Sequence, residues 1–275
     1  MALYDRETDR VDGRRGVSLF ALVAAVLINF SMGSLYGWSV LVAPFEESLA
    51  ASRAGISAVY SVALFFYTVG AFIAYRIMAM APLAPVTLAI FLLAAAGLAL
   101  AGAIESYVAL LVGYGIVFAI PGGISYFIAM TAASIEMPVR RSVAIGINMA
   151  AFAGGGLVWP RLLVMAIDWQ GPHITLLAFA GYLAAIGVVV SLFLVASRAK
   201  VPGGADESGI FKDIFTDRPR VIILLWLSFV FVAFSALMSM GHAAGIVTAY
   251  GVDASLAYLG PMITNLGYIV GALAA

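Results

Sequence analysis

The clearest ionisable candidate in this chain is Arg161, which follows Pro160 inside a long apolar segment. Its guanidinium suits a carboxylate in a bidentate geometry. On a helical wheel, however, Arg161 lies almost opposite the stripe that contains Asn148, and it shares a face with Asp168 seven residues later. Two interpretations stay open: Arg161 contacts an anionic ligand, or it extends toward the segment's end and pairs with Asp168.

A polar stripe runs along another apolar segment nearer the C-terminus. Its members recur at helical spacing and lie within about 60° of one another: Ser228, Phe231, Ser235, Ser239 and His242. Such a stripe predicts a wet cavity, and a histidine, which titrates near neutral pH, suits proton coupling or anion binding. The alternative is that the serines form hydrogen bonds to neighbouring helices.

Aromatic and amide side chains complete the candidate set. Tyr36 shares a predicted helix face with Asn29, with Trp38 opposite, and Tyr126 lies about 100° from the face that carries Tyr114. Aromatic faces and tyrosine hydroxyls can hold a small planar anion, although they also serve in packing. We expect the deep amides to face a cavity or to bond across helices. The predicted substrate site comprises Tyr36, Tyr126, Asn148, Arg161, Ser235, Ser239, His242 and Asn265.

Composition argues against several other kinds of chemistry. The chain has no cysteine and only two histidines, which excludes thiolate catalysis and disfavours a metal site. Ser125 lacks the sequence frame and the histidine partner of a nucleophilic serine, so an intramembrane enzyme is disfavoured. The net charge of zero gives no electrostatic case for nucleic acid. We therefore expect no cofactor, no metal, no nucleic acid and no enzymatic activity.

The elements that must position these side chains are apolar segments of membrane-spanning length. The mean hydropathy is +1.09 and 64% of the residues are hydrophobic. A bilayer core needs roughly 20 apolar residues per helix. Eight segments satisfy this, at about residues 17–43, 55–77, 86–104, 107–133, 143–167, 174–196, 221–248 and 255–275. The sequence predicts an all-α polytopic membrane protein.

The distribution of positive charge predicts the orientation of these segments. With a cytoplasmic N-terminus, all of the 14 Lys and Arg residues except Arg53 and Arg161 lie on the cytoplasmic side. Because cytoplasmic connections favour Lys and Arg, we expect a multi-pass protein of the cell membrane with its N-terminus inside. The positive residues on that side are Arg6, Arg10, Arg14, Arg15, Arg76, Arg140, Arg141, Arg198, Lys200, Lys212, Arg218 and Arg220.

The connections divide the chain into four parts. Residues 1–16 form a charged tail, residues 17–196 a six-helix bundle, residues 197–220 a polar cytoplasmic linker, and residues 221–275 the first two helices of a second bundle. This order is expected of a transporter built from two six-span halves. The last segment ends without an interfacial anchor, so we expect the chain to be cut off within a larger fold.

Several motifs together resemble the major facilitator superfamily, within it the oxalate/formate antiporter-like and monocarboxylate transporter-like branch. The similarity lies in GSLYGWSV at residues 33–40, in YG at 114–115 followed by PGGISY at 121–126, in PVRR at 138–141 with the glycines at 154–156, and in LMSMGH at 237–242. The chain departs from that branch in its short loop after Arg76, which lacks the usual Asp, and in the absence of a span-8 arginine around Asn265.

The resemblance implies a twelve-helix fold that moves small mono- or dicarboxylates by alternating access, with the site between the two halves. It implies secondary active transport, with an anion as substrate, the lipid bilayer as surroundings, and a coupling proton or a counter-substrate as a possible partner. The alternative is a non-transporting remnant or a subunit that needs the missing C-terminal helices. The sequence leaves the oligomeric state open.

Overall fold

The computed structural model describes residues 15–137, 140–197 and 219–274. Over these ranges the regular structure is entirely helical and contains no strand, which confirms the all-α prediction. The predicted tail lies outside the described residues up to residue 14, and so does the predicted linker from 198 to 218.

Nine α-helices follow one another along the described chain, with short segments of other helix types between some of them. We number them α1 to α9 in chain order. They are α1 (Arg15–Met32), continued by a 3₁₀ segment (Gly33–Val40), α2 (Val42–Ser48), α3 (Arg53–Met80), α4 (Leu83–Ala103), α5 (Tyr107–Val112), continued by a π segment (Gly113–Phe118), α6 (Ala119–Glu136), α7 (Arg141–Ser197), α8 (Pro219–Ala249), a 3₁₀ turn (Ala254–Leu256) and α9 (Leu259–Ala274).

Six helical stretches of the described chain are long and apolar enough to cross a membrane. One of them, α7, has 57 residues and contains a break at Gly171, whose φ of 81° and ψ of 168° are not helical. Pro172 follows directly, so α7 is two limbs joined at this turn, where the sequence predicts two separate spans. α9 has only 16 residues and is shorter than the predicted eighth span. The arrangement is that of a multi-pass membrane protein.

Helices α1 and α7 cross at glycines that allow their backbones to touch. A Cβ built on Gly33 would collide with the Phe152 carbonyl oxygen and lie 2.9 Å from the Cα of Gly155. A Cβ on Gly155 would in turn collide with the Phe30 carbonyl oxygen. Small residues at such a crossing permit close packing in a bilayer, where apolar burial drives association weakly.

Polar bonds fix the same crossing. The Asn29 side-chain amide donates to the Asn148 side-chain oxygen at 3.1 Å and to its backbone oxygen at 3.2 Å. The Trp159 indole N–H donates to the Phe30 carbonyl oxygen at 3.0 Å. Both asparagines are fully buried, so these bonds satisfy groups that would otherwise be costly to bury in an apolar interior.

One end of the bundle, which we call the far end, collects the connections at residues 49–52, 104–106, 171 and 250–258. Ser48 Oγ lies 3.4 Å from His173 Nε2, and the Tyr107 hydroxyl donates to the Gly55 carbonyl oxygen at 3.3 Å. We call α1–α7 the first unit and α8–α9 the second unit. Helix α8 meets the first unit mainly toward the far end, because its buried residues are Met240, Gly241, Ala243 and Ala244, whereas α9 packs on α7, with Asn265 against Gly156.

Candidate functional site

A cavity of about 190 Å³ lies between the two units. Four tyrosines line it, from four different elements: Tyr36 on the 3₁₀ segment, Tyr67 on α3, Tyr126 on α6 and Tyr268 on α9. The remaining lining side chains are apolar apart from one threonine: Leu35, Leu64, Thr68, Met149, Phe152 and Leu237. We call this space the central cavity.

Phe152 of α7 organises the aromatic wall of the central cavity. The Tyr36 ring meets the Phe152 ring edge to face at 5.0 Å between centroids, and the Tyr126 ring does so at 5.6 Å. Tyr67 lies 6.4 Å from Tyr126, and its buried hydroxyl has no hydrogen-bond partner among the described residues. A buried hydroxyl without a partner is a group that a bound ligand or water can satisfy.

A second cavity of about 390 Å³ adjoins the first toward the far end, and Leu64 and Leu237 line both. Its polar lining comes from α3, α8 and the 3₁₀ segment: Trp38, Ser57, Tyr60, Ser61 and His242. The rings of Trp38 and Tyr60 are nearly parallel, 6.2 Å apart at an angle of 7°. We call this space the outer cavity.

A third, wider space of about 520 Å³ opens at the far end beside Arg53, His242, Gly245 and Thr248. The Arg53 guanidinium lies against Gly245, where a Cβ would collide with its Nη2, and its Nη1 is 3.7 Å from a carboxylate oxygen of Glu46. His242 lines both this space and the outer cavity. A positive charge therefore lies close to the outer cavity.

Three of the predicted site residues line these cavities. Tyr36 and Tyr126 face each other across Phe152 in the central cavity, and His242 lies farther out. Four further residues line the cavities although they are not among the predicted site residues: Tyr67, Tyr268, Trp38 and Tyr60. The helical wheel placed Trp38 on the face opposite Tyr36, and no pattern of spacing marked the other three.

The two predicted amides lie at helix crossings instead of in the cavities. Asn148 is bonded to Asn29, and its own side-chain amide donates to the Ala144 carbonyl oxygen at 3.2 Å. Asn265 donates to the Pro261 carbonyl oxygen at 2.8 Å and packs on Gly156, where a built Cβ would be 2.6 Å from its Cγ. The deep amides are expected either to face a cavity or to bond across helices, and Asn148 does the second.

The arrangement of Arg161 differs from both interpretations drawn from the sequence. Its guanidinium carbon lies 4.5 Å from the centroid of the Tyr258 ring, which belongs to the turn before α9. Asp168 is exposed, and no ion pair joins it to Arg161, both residues being within the described part of the chain. Arg161 is also absent from the lining of the three cavities. The contact is a cation–π interaction between the two units.

The serines of the predicted stripe on α8 face away from the cavities. Leu237, Met238 and Gly241 turn toward the first unit, while Ser235 and Ser239 are exposed. The Ser239 hydroxyl donates to the Ser235 carbonyl oxygen one turn earlier, at 2.9 Å. Of this stripe only His242 lines a cavity, beside apolar residues of a neighbouring face such as Leu237 and Met238.

The central cavity offers hydroxyl donors and ring edges, and no charged side chain lines it. Such a wall suits a small polar or anionic solute that is held by hydrogen bonds. Nowhere in the described ranges do three or more His, Cys, Asp or Glu residues form a group that could hold a metal ion. No family model matches the chain, and no curated protein matches it.

Proposed function

We propose that this chain is a secondary transporter of small organic anions, mono- or dicarboxylates, that works by alternating access in a fold of the major facilitator type. The observation that carries the proposal is the tyrosine-lined central cavity, whose walls come from both units. We further propose that it lies in the cell membrane with its N-terminus in the cytoplasm, as the distribution of Lys and Arg indicates.

The distribution of contacts between the units supports this mechanism. Near the far end, Gly241 of α8 lies on the Tyr60 ring, where a Cβ would be 2.9 Å from two ring carbons. Residues 219–239 of α8 are mostly exposed, so this helix touches the first unit little toward the other end. Contacts concentrated at one end suit rigid-body rocking around a central site.

The chemistry of the cavity supports an anionic substrate of small size. Tyr36, Tyr67, Tyr126 and Tyr268 line the cavity, and a tyrosine hydroxyl can donate to a carboxylate oxygen. Ring edges carry partial positive charge and add a weaker attraction. With no arginine or lysine in the lining, these groups must hold the anion, which favours modest affinity and ready release.

The exposed part of α8 favours a second candidate function, that of a subunit which needs further helices. Ser228, Ser235 and Ser239 lie there on an otherwise apolar surface. In a bilayer, such serines stabilise helix association through interhelical hydrogen bonds. In that case the chain alone moves no anion, and transport requires the helices that cover this surface.

Uptake by reconstituted vesicles tests the proposed function. Purified protein in liposomes should accumulate labelled oxalate, formate, lactate or pyruvate above protein-free vesicles. Tyr36→Phe and Tyr126→Phe each remove one donor while keeping the ring on Phe152, so each should lower kcat/KM by about fivefold, the value of one net hydrogen bond.

Tyr75→Phe is the matched control, because Tyr75 is half exposed near the opposite end of α3 and outside all three cavities. It should leave uptake unchanged. Failure of wild-type vesicles to take up any of the four anions would contradict the carboxylate proposal. Uptake that appears only with added partner helices would favour the subunit.

A further inference from the structure

We propose that the outer cavity is a second carboxylate-binding site, on the path between the far end and the central cavity. Three side chains that line it each carry a buried polar group without a hydrogen-bond partner in the described structure: the indole N–H of Trp38, the hydroxyl of Tyr60 and the hydroxyl of Ser57. The inference deepens the proposed function and takes the class of ligand from it.

The burial of these groups points to a missing partner. Trp38 and Tyr60 are 1% and 5% exposed, so bulk solvent does not satisfy them. Buried polar groups in native proteins nearly always have a hydrogen-bond partner, so each unpaired one requires an explanation. Here all three belong to side chains that line a single space, so a ligand bound in that space is the candidate partner for them.

The donor types indicate what that ligand carries. An indole N–H only donates, and tyrosine and serine hydroxyls donate readily to a charged acceptor. No acidic side chain lines the outer cavity. His242 borders it, and Arg53 lies in the adjoining space at the far end. Donors without competing acceptors in the lining favour an oxyanion such as a carboxylate, with His242 at the border and the Arg53–Glu46 ion pair in the adjoining space.

Size and rigidity agree with a binding site. The volume of about 390 Å³ falls within the range of about 300–1,000 Å³ that small-molecule sites occupy, whereas the central cavity is smaller. Trp38 is held between Tyr60 and Tyr114, whose ring centroid is 4.5 Å away, and Gly241 presses on the Tyr60 ring. Donors held in place in this way bind without a large loss of side-chain entropy.

Shared walls place the two cavities in sequence. Leu64 and Leu237 line both, so an anion that leaves the outer cavity passes these two side chains to reach Tyr36 and Tyr67. Leu237 belongs to the second unit and Leu64 to the first, so relative motion of the units changes the gap between them. The outer cavity would load the anion before the central cavity receives it.

Tryptophan fluorescence of the purified full chain, titrated with oxalate, tests this inference. Trp38 is the reporter, and we expect a saturable change in wild type that disappears in Trp38→Phe. Tyr60→Phe preserves the ring stacked on Trp38 and removes only its hydroxyl. Ser57→Ala removes the serine hydroxyl. Each should raise the Kd for oxalate by about fivefold, the value of one net hydrogen bond. Tyr75→Phe should leave the Kd unchanged.

Two results would overturn the second site: no saturable change with oxalate, or an unchanged Kd in both Tyr60→Phe and Ser57→Ala. The titration is independent of transport. Oxalate binding at Trp38 by a chain that moves no anion in vesicles would contradict the proposed function and leave this site standing. Uptake by wild type, together with an unaltered Kd for oxalate in Tyr60→Phe and Ser57→Ala, would contradict the second site and leave the proposed function standing.

Discussion

Arg53 and Arg161, the two positive residues left over by the charge pattern, both contact the second unit near the far end. Arg53 lies against Gly245 of α8, and Arg161 stacks on Tyr258 in front of α9. Each positive side chain thus holds a first-unit helix to a second-unit element. At the residue scale, these charges have a structural role that hydropathy and wheel geometry did not reveal.

The Arg161–Tyr258 pair makes a prediction about stability. Arg161→Gln and Tyr258→Leu should each lower the free energy of unfolding, with a coupling between them of about 0.5–1 kcal/mol, the size of an exposed cation–π interaction. Thermal unfolding of the two single variants and the double variant in detergent measures this coupling. Asp168→Asn is the control and should have no effect. A coupling of zero would contradict the cation–π interaction, and an equal loss in Asp168→Asn would argue for the ion pair with Asp168 instead.

At the element scale, the helix type changes after α1, at the 3₁₀ segment, and between α5 and α6, at the π segment. These changes explain why some candidate residues could be predicted and others could not. The wheel assumes about 100° per residue, whereas a 3₁₀ segment turns about 120°. Between Tyr36 and Trp38 the difference is about 40°, so Trp38 is displaced from the position opposite Tyr36, and it lines the outer cavity. Hydropathy identifies the long apolar helices, although α9 is shorter than the predicted eighth span, but single-sequence patterns do not reveal these changes of helical pitch.

Which tyrosines line the central cavity depends on contacts with other helices. The four spans that contribute Tyr36, Tyr67, Tyr126 and Tyr268 come together only in the folded protein. Sequence reasoning identified Tyr36 and Tyr126 because each lies on or near a face of its own helix that carries other polar or aromatic residues. Tyr67 and Tyr268 had no such local signal, and their role follows from the crossing of α3 and α9 with the other helices.

Neighbouring glycines of α7 provide a prediction at the element scale. Gly155→Ala should lower the free energy of unfolding by about 1–3 kcal/mol, since its Cβ would collide with the Phe30 carbonyl oxygen and separate α1 from α7. Gly154→Ala is the matched control: its Cβ meets only Phe30 Cδ2 at 3.9 Å, so the better helix propensity of alanine leaves stability equal or slightly higher. Thermal unfolding in detergent compares them. Equal losses in both variants would contradict this crossing.

At the scale of the whole molecule, two units enclose two successive cavities, with α8 touching the first unit mainly near the far end and α9 packing on α7. The close contact of Gly156 on α7 with Asn265 on α9 belongs to this interface. Alternating access requires that such contacts open during each transport cycle. A covalent link across this interface should therefore stop transport without disturbing either unit.

The most direct test of this account is oxalate uptake by the double variant Gly156→Cys/Asn265→Cys. A Cβ on Gly156 lies 2.6 Å from Asn265 Cγ, which puts the two Cβ positions within reach of a disulfide, whose Cβ atoms are about 3.5–4.5 Å apart. The chain has no other cysteine, so the link is unique, and each single variant is a control. We predict that oxidation abolishes uptake and that reduction restores it. Uptake that continues in fully cross-linked protein would contradict transport by relative motion of the two units.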